Sequence, residues 1–207
     1  MHGPTGLYTT NPGLVTLIQG LVFPPGLILV VLSGSDLFTS NIFFFTAGLL
    51  EGRVKWHMAL RSWTWSWFSN LIGSLTIVYF AHWAGILGEP GSTNSVIAFA
   101  KTLAVTKTHL PWHGAVVRGM MCNWLVCMAI WQGMAATDVI GKIFGIYLPV
   151  AYFIIGGFEH CVANQYLLYQ GLVAGAPVSV DRTITHNLIP STIGCMVGGI
   201  CFVAFAS

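Results

Sequence analysis

Gly157-Phe158-Glu159-His160-Cys161-Val162-Ala163-Asn164 places an acid, an imidazole and an amide inside a segment otherwise apolar enough to lie in a membrane. Ionisable groups are costly in hydrocarbon, so such a cluster marks a functional site by default. The pattern has an echo. Moving back 123 positions from Gly157, Glu159 and Asn164 reaches Gly34, Asp36 and Asn41, so that G-x-[DE]-x-x-x-x-N occurs twice, each time at the end of an apolar run. A two-fold repeat with breaks at corresponding places predicts a transport site between the two halves.

The composition agrees. Of 207 residues, 55% are hydrophobic and 7% charged, against roughly 25% charged in soluble domains. An integral membrane protein of several spans follows, since the apolar runs are too numerous and too central to be a secretory leader. The net charge of +2 is small and scattered, which argues against a nucleic-acid partner. Cys122, Cys127, Cys161, Cys195 and Cys201 all fall within apolar runs without a C-x-x-C pair, so they read as buried thiols packing as small hydrophobes.

In chain order, a charge-free loop precedes an apolar run from Gly13 to Leu32 that is kinked by Phe23-Pro24-Pro25-Gly26, broken at Ser33 to Asp36 and resumed from Leu37 to Leu50. One broken span is expected there. Arg53, Lys55 and Arg61 read as a basic connection, and a second span is expected from Trp63 to Leu87, its Trp63, Trp65 and Trp67 placed at the headgroups. Residues 88–94 read as a turn, and 95–110, with Lys101 and Lys107, as an amphipathic helix at the interface. A third span follows from Trp112 to Ala136, then a loop through Asp138 and Lys142. The second broken span runs from Ile143 through the interruption at 156–164 to Val173; a polar loop at 174–186 leads to a last span from near Asn187 to Ser207.

Small residues in Ser69 to Ser74 match those in Gly194 to Gly199 at an offset of 125, as close helix contacts in membranes require. An odd number of spans separates the paired elements, so the repeat is expected to be inverted. The half-repeats are then 13–87 and 112–207 of a single transmembrane domain. The third span has no partner ahead of Met1, so the chain is expected to be one span short at its N-terminus, with an apolar groove there and Asn123 facing outward. Arg53, Lys55, Arg61 and Lys142 on one side outnumber Lys101, Lys107 and Arg182 on the other, which places the first side in the cytoplasm.

Taken together, several motifs resemble those of the formate/nitrite transporter family. They are Phe23-Pro24-x-Gly26-Leu27, Asp36 to Asn41, Ser69 to Gly73, Lys107-Thr108, Arg118-Gly119, Cys122 to Cys127, Gly157 to Asn164 and Asn187 to Gly194, in family order over almost the whole chain. Two departures accompany them: the family's first helix is absent, leaving five of six spans, and Cys195 stands where an Asn usually follows Gly in the last helix. The resemblance implies an all-α, aquaporin-like fold and a homopentamer in a plasma-type membrane, each protomer a pore for small monovalent anions such as formate, nitrite or a short carboxylate, without a cofactor. It further implies that Phe23, Leu27, Leu37, Phe38 and Phe153 form hydrophobic constrictions, that Thr39 and His160 meet the anion between them, and that Lys107 raises the local positive potential.

The chemistry also follows from the residues. A bare anion in an apolar constriction carries a desolvation penalty of several kcal/mol or more, whereas its protonated acid does not, and imidazole titrates near pH ~6.5. His160 is therefore the expected proton donor. Glu159 either orients the ring or stabilises its cation, Thr39 offers a hydroxyl to the anion, and Asn41 and Asn164 tie down the breaks. Asp36 and Glu159 also read as structural partners of loop amides, the phenylalanines as core and Lys107 as a snorkelling lysine. Two rival classes remain. A His-ligated cofactor protein needs a second intramembrane histidine, but His2, His57, His82, His109, His113 and His186 fall mostly at span ends or in loops. An aquaporin-like channel for neutral solutes needs two N-P-A loops, and Asn11-Pro12-Gly13 is single.

Overall fold

The computed structural model describes residues 10–86 and 95–206, and the expected turn at 88–94 lies outside them. Among the described residues the regular structure is all helical. Helix α1 (Pro12–Val22) starts where the Asn11 side chain accepts the Leu14 N–H at 3.2 Å, with proline in the first turn. The two prolines then end it. Neither Pro24 nor Pro25 can donate to the preceding turn, and the Leu21 carbonyl so freed accepts the Tyr147 hydroxyl at 2.7 Å. The chain bends into α2 (Pro25–Ser33), breaks, and resumes as α3 (Phe38–Leu50).

Helix α4 covers Trp56–Trp83, starting seven residues before the expected span, so Arg61 belongs to the helix and not to the connection. The tryptophan expectation also needs correction. Trp65 and Trp56 are exposed, but the Trp63 indole donates to the Asn41 carbonyl and the Trp67 indole to the Thr192 hydroxyl, so these two rings serve as inward donors. Helix α5 (Ser95–Thr108) lies along α8 (Cys161–Val173), with Ala100, Ala104 and Thr108 buried. Pro111 precedes α6 (Trp112–Ala135). The expected loop at Gly141-Lys142 is the first turn of α7 (Val139–Ile155), because the Asp138 carboxylate caps it at the Gly141 N–H, 2.9 Å away. The expected loop at 174–186 is likewise shorter. Helix α9 (Val180–Thr183) passes through a π turn (Ile184–Leu188) into α10 (Ile189–Ala206). Pro190 has no N–H for the His186 carbonyl, and a wider turn just ahead of a proline accommodates that loss.

Pro12–Ser33, Trp112–Ala135 and Val180–Ala206 are each long and apolar enough to cross a membrane. Their centre is the α6–α10 contact. A Cβ on Gly194 would strike the Val116 carbonyl and one on Gly198 the Met120 carbonyl, so the two backbones touch. Where lipid removes the hydrophobic drive between helices, such contact supplies the association. Around it α3 packs on α10 and α8 packs on α4, the cross-pairing of an inverted repeat. Asn123 points into this centre, fully buried, its amide donating to the Cys195 carbonyl at 2.6 Å. The expectation that Asn123 faces outward is therefore wrong: a small-residue interface brings a carbonyl within reach of its amide. An apolar face beside the first span is present, with Leu14, Leu17, Ile18, Leu21 and Val22 exposed. Among the cysteines, Cys122, Cys127, Cys161 and Cys195 are buried and free, but Cys201 is exposed.

Candidate functional site

Both breaks are built by one backbone device. Each preceding helix ends at a glycine in the left-handed region, Gly34 at φ 67° and Gly157 at φ 66°, where a residue with a Cβ is strained. In the first, the Gly34 N–H bonds Val31 O and the Ser35 N–H bonds Val30 O; in the second, Gly157 bonds Ile154 O and Phe158 bonds Phe153 O. This is the same glycine-terminated helix end twice. Four residues after the glycine a new helix starts, with Leu37 or His160 as the residue before it.

His160 does what Leu37 cannot. Its Nδ1 accepts the Ala163 N–H at 3.0 Å, satisfying one of the free donors at the start of α8. A backbone N–H only donates, so Nδ1 carries no hydrogen and the neutral ring holds its proton on Nε2. Nε2 lies 3.2 Å from the Thr39 hydroxyl oxygen, which accepts that proton and retains its own hydrogen for another acceptor. Thr39 is fully buried and His160 nearly so. The two breaks are thus joined side chain to side chain.

His160 also lines a cavity of about 980 Å³, with Phe23, Leu27, Leu37 and Phe153 among its walls. The Phe23 and Phe153 rings meet edge to face at 5.7 Å, and Phe153 stacks on the His160 imidazole with 17° between planes and 5.7 Å between centroids. Four of the five expected constriction residues therefore share this wall. Phe38 does not: it turns into a separate buried cluster with Ile42, Cys161 and Cys195. Successive residues at the start of α3 point to different sides, which places Leu37 and Phe38 in different surroundings.

Beside the histidine lies an ionic network. The Lys107 ammonium contacts both Glu159 carboxylate oxygens, at 2.9 and 3.0 Å. The Asn164 and Asn187 amides donate to the same carboxylate at 2.6 and 3.0 Å, and Asn164 also donates to the Asn187 side-chain carbonyl at 2.8 Å. Asn187 further donates to the Lys107 carbonyl. An ion pair buried this deeply persists only when such hydrogen bonds complete it. Of the two readings of Glu159, the geometry places its carboxylate on the lysine and the amides, with only its backbone joined to the histidine.

The first break lacks this apparatus. Asp36 is exposed and its carboxylate has no amide partner among the contacts of the described residues; its backbone carbonyl accepts from Asn70, whose own carbonyl accepts the Phe38 N–H at 2.9 Å. Asn41 does not hold the break either, its amide reaching Ser62 at 3.4 Å. Asn70 and Asn187 are thus residues the sequence reading did not place in the site. Position 70 stands 125 before Cys195, and the Cys195 thiol donates to the Glu159 carbonyl at 3.7 Å as the Asn70 amide donates to Asp36. That pairing was the available signal. Among the described residues no three His, Cys, Asp or Glu side chains converge as a metal would require.

Comparison with known proteins places these features. The family profile described as Formate/nitrite transporter matches residues 2–207. A protein named probable formate transporter, from Methanothermobacter thermautotrophicus, is 42% identical over 204 residues, covering 93% of this chain and 74% of that one. A formate channel of Bacillus thuringiensis is 35% identical, covering 93% of this chain and 72% of its own. Among solved structures, a pentameric formate channel with formate bound superimposes with a TM-score of 0.84 at 32% identity, over 97% of this chain and 85% of that one. The broken-helix repeat, the joined breaks and these matches agree: the chain belongs to the formate/nitrite transporter family, whose members are membrane transport proteins and not enzymes.

Proposed function

We propose that this chain, as a homopentamer in the plasma membrane, carries formate or a similar small monovalent anion, nitrite or a short carboxylate among them, through each protomer. The observation that carries this reading is the bond from the fully buried Thr39 to His160, whose ring lines the cavity bounded by Phe23, Leu27, Leu37 and Phe153. Similarity to formate channels and a formate transporter supports the substrate class. The apolar walls exclude hydrated ions by the cost of desolvation, and an anion that reaches the buried Thr39 hydroxyl, which does not itself line the cavity, finds one free hydrogen there.

The proton follows from the ring's hydrogen bonds. A proton from the bulk adds at Nδ1, the nitrogen without hydrogen, and displaces the Ala163 bond. The imidazolium then passes its Nε2 proton to the Thr39 oxygen while the Thr39 hydrogen moves to the anion, leaving a neutral ring and a neutral acid. Uptake of radiolabelled formate into proteoliposomes tests this, with His160→Asn beside the wild type. Asn is a good helix cap, so folding and assembly are expected to persist. The wild type should transport faster as external pH falls, and the variant should lose that pH dependence. Unchanged, pH-dependent uptake by His160→Asn would reduce His160 to a helix cap.

A further inference from the structure

The charged side chains that line the cavity are Lys107, Arg118 and Glu159. Lys107 and Glu159 form a close ion pair, so at any distance their fields largely cancel. Arg118 has no carboxylate partner among the described residues. Its side chain is exposed, and one Nη1 donates to the Gly157 carbonyl at 3.3 Å. Its own carbonyl accepts the Glu159 N–H at 3.4 Å. Arg118 stands six residues from the start of α6, roughly 9 Å along the helix, so it meets the cavity near an end of the span.

We propose that Arg118 is the specificity-determining cation of the cavity: it gathers planar monoanions with two adjacent oxygens, the class of formate and nitrite, before they reach Phe23, Phe153 and His160. This rests on the transport reading given above. A guanidinium presents five donors in a rigid plane, and the Gly157 carbonyl occupies one direction only. The remaining edge matches a carboxylate with two parallel bonds, a geometry an ammonium cannot supply. A single uncompensated charge in an apolar-walled cleft also concentrates anions and accelerates their entry, an effect that salt weakens. Lys107, held by Glu159, gives neither.

The test compares wild type, Arg118→Lys and Arg118→Gln in proteoliposomes, measuring initial formate uptake against concentration at low and high ionic strength. The wild type is expected to show an apparent KM that rises with salt. Arg118→Gln should raise the low-salt KM about tenfold, within the range of electrostatic steering, and lose the salt dependence while keeping its maximal rate. Arg118→Lys should keep the salt dependence but lose preference for formate over a spherical competitor such as chloride. If Arg118→Gln does not assemble, the salt slope of the wild type and the altered competition in Arg118→Lys decide the matter. A maximal rate that falls in Arg118→Gln with KM and salt slope unchanged would leave Arg118 only a clamp on Gly157 and overturn the proposal. Wild-type uptake with both variants indifferent overturns it alone, whereas a wild type that carries no formate overturns the transport reading with it.

Discussion

The two breaks share a backbone and differ in their chemistry. Gly34 and Gly157 take the same left-handed conformation, their amides and the next ones make the same pair of bonds, and a helix restarts four residues later. Yet the acid two residues past the glycine is exposed in one break and at the centre of a four-residue network in the other. A repeated motif therefore preserves what bends the chain, while each copy is free to specialise the side chains that the bend presents. Here only the second copy carries the imidazole and the ion pair.

That comparison can be broken or sharpened experimentally. The largest effect is expected from Glu159→Gln, which leaves the Lys107 ammonium without its carboxylate; loss of one member of a buried pair costs about 3–5 kcal/mol. Thermal unfolding in detergent should show the loss, and Lys107→Met in the same chain should restore much of it. No recovery in the double variant would mean that the amides, and not the charges, hold the second break. Next comes Asn70→Ala, which removes both bonds that pin the first break and should cost about 1–3 kcal/mol, the price of an abandoned donor; an unaffected melting temperature would show the first break held by packing alone. Ala at Gly34 or at Gly157 meets no atom within 4 Å, so each should cost only the backbone strain of about 1–2 kcal/mol. Equal losses are expected, and unequal ones would refute the claim of a shared device. The smallest effect belongs to Asp36→Asn, within about 0.5 kcal/mol, and a loss comparable to that of Glu159→Gln would make the two acids equivalent after all.

Much of this was legible in the sequence because glycine, acid and amide recur at a fixed offset and because prolines interrupt apolar runs. The all-helical fold, both breaks, and the α5, α6 and α10 regions could be read in this way. Helix starts were harder. Trp56 to Ser62 is polar enough to pass for a connection, and Val180 to Leu188 mixes charge and apolar residues without the period of a regular helix, since part of it is a π turn. At the site, Thr39 bonds His160, and Lys107 and Asn164 bond Glu159, but of these five only His160, Glu159 and Lys107 line the cavity. Asn41 and Phe38 do not line the cavity, because a helix turns adjacent residues to different faces and the sequence does not state which face the break presents. Asn70 and Asn187 were missed for a related reason: each acts from a different helix on a carbonyl or carboxylate that only tertiary packing brings near.

The glycine contact between α6 and α10 also has a mechanical meaning. Backbones that touch at Gly119, Gly194 and Gly198 leave no gap into which either helix can slide by a fraction of a turn, since the next side chain would collide with a carbonyl. The two helices form a stiff mast to which Asn123 and Cys195 are fastened. On the proposed transport reading, motion that admits an ion arises away from that mast, in rings such as Phe23 and Phe153 that can swing about their own χ angles. Side-chain swings of that kind are intrinsically faster than collective helix movements, so a pore built on this mast can respond without rearranging its frame.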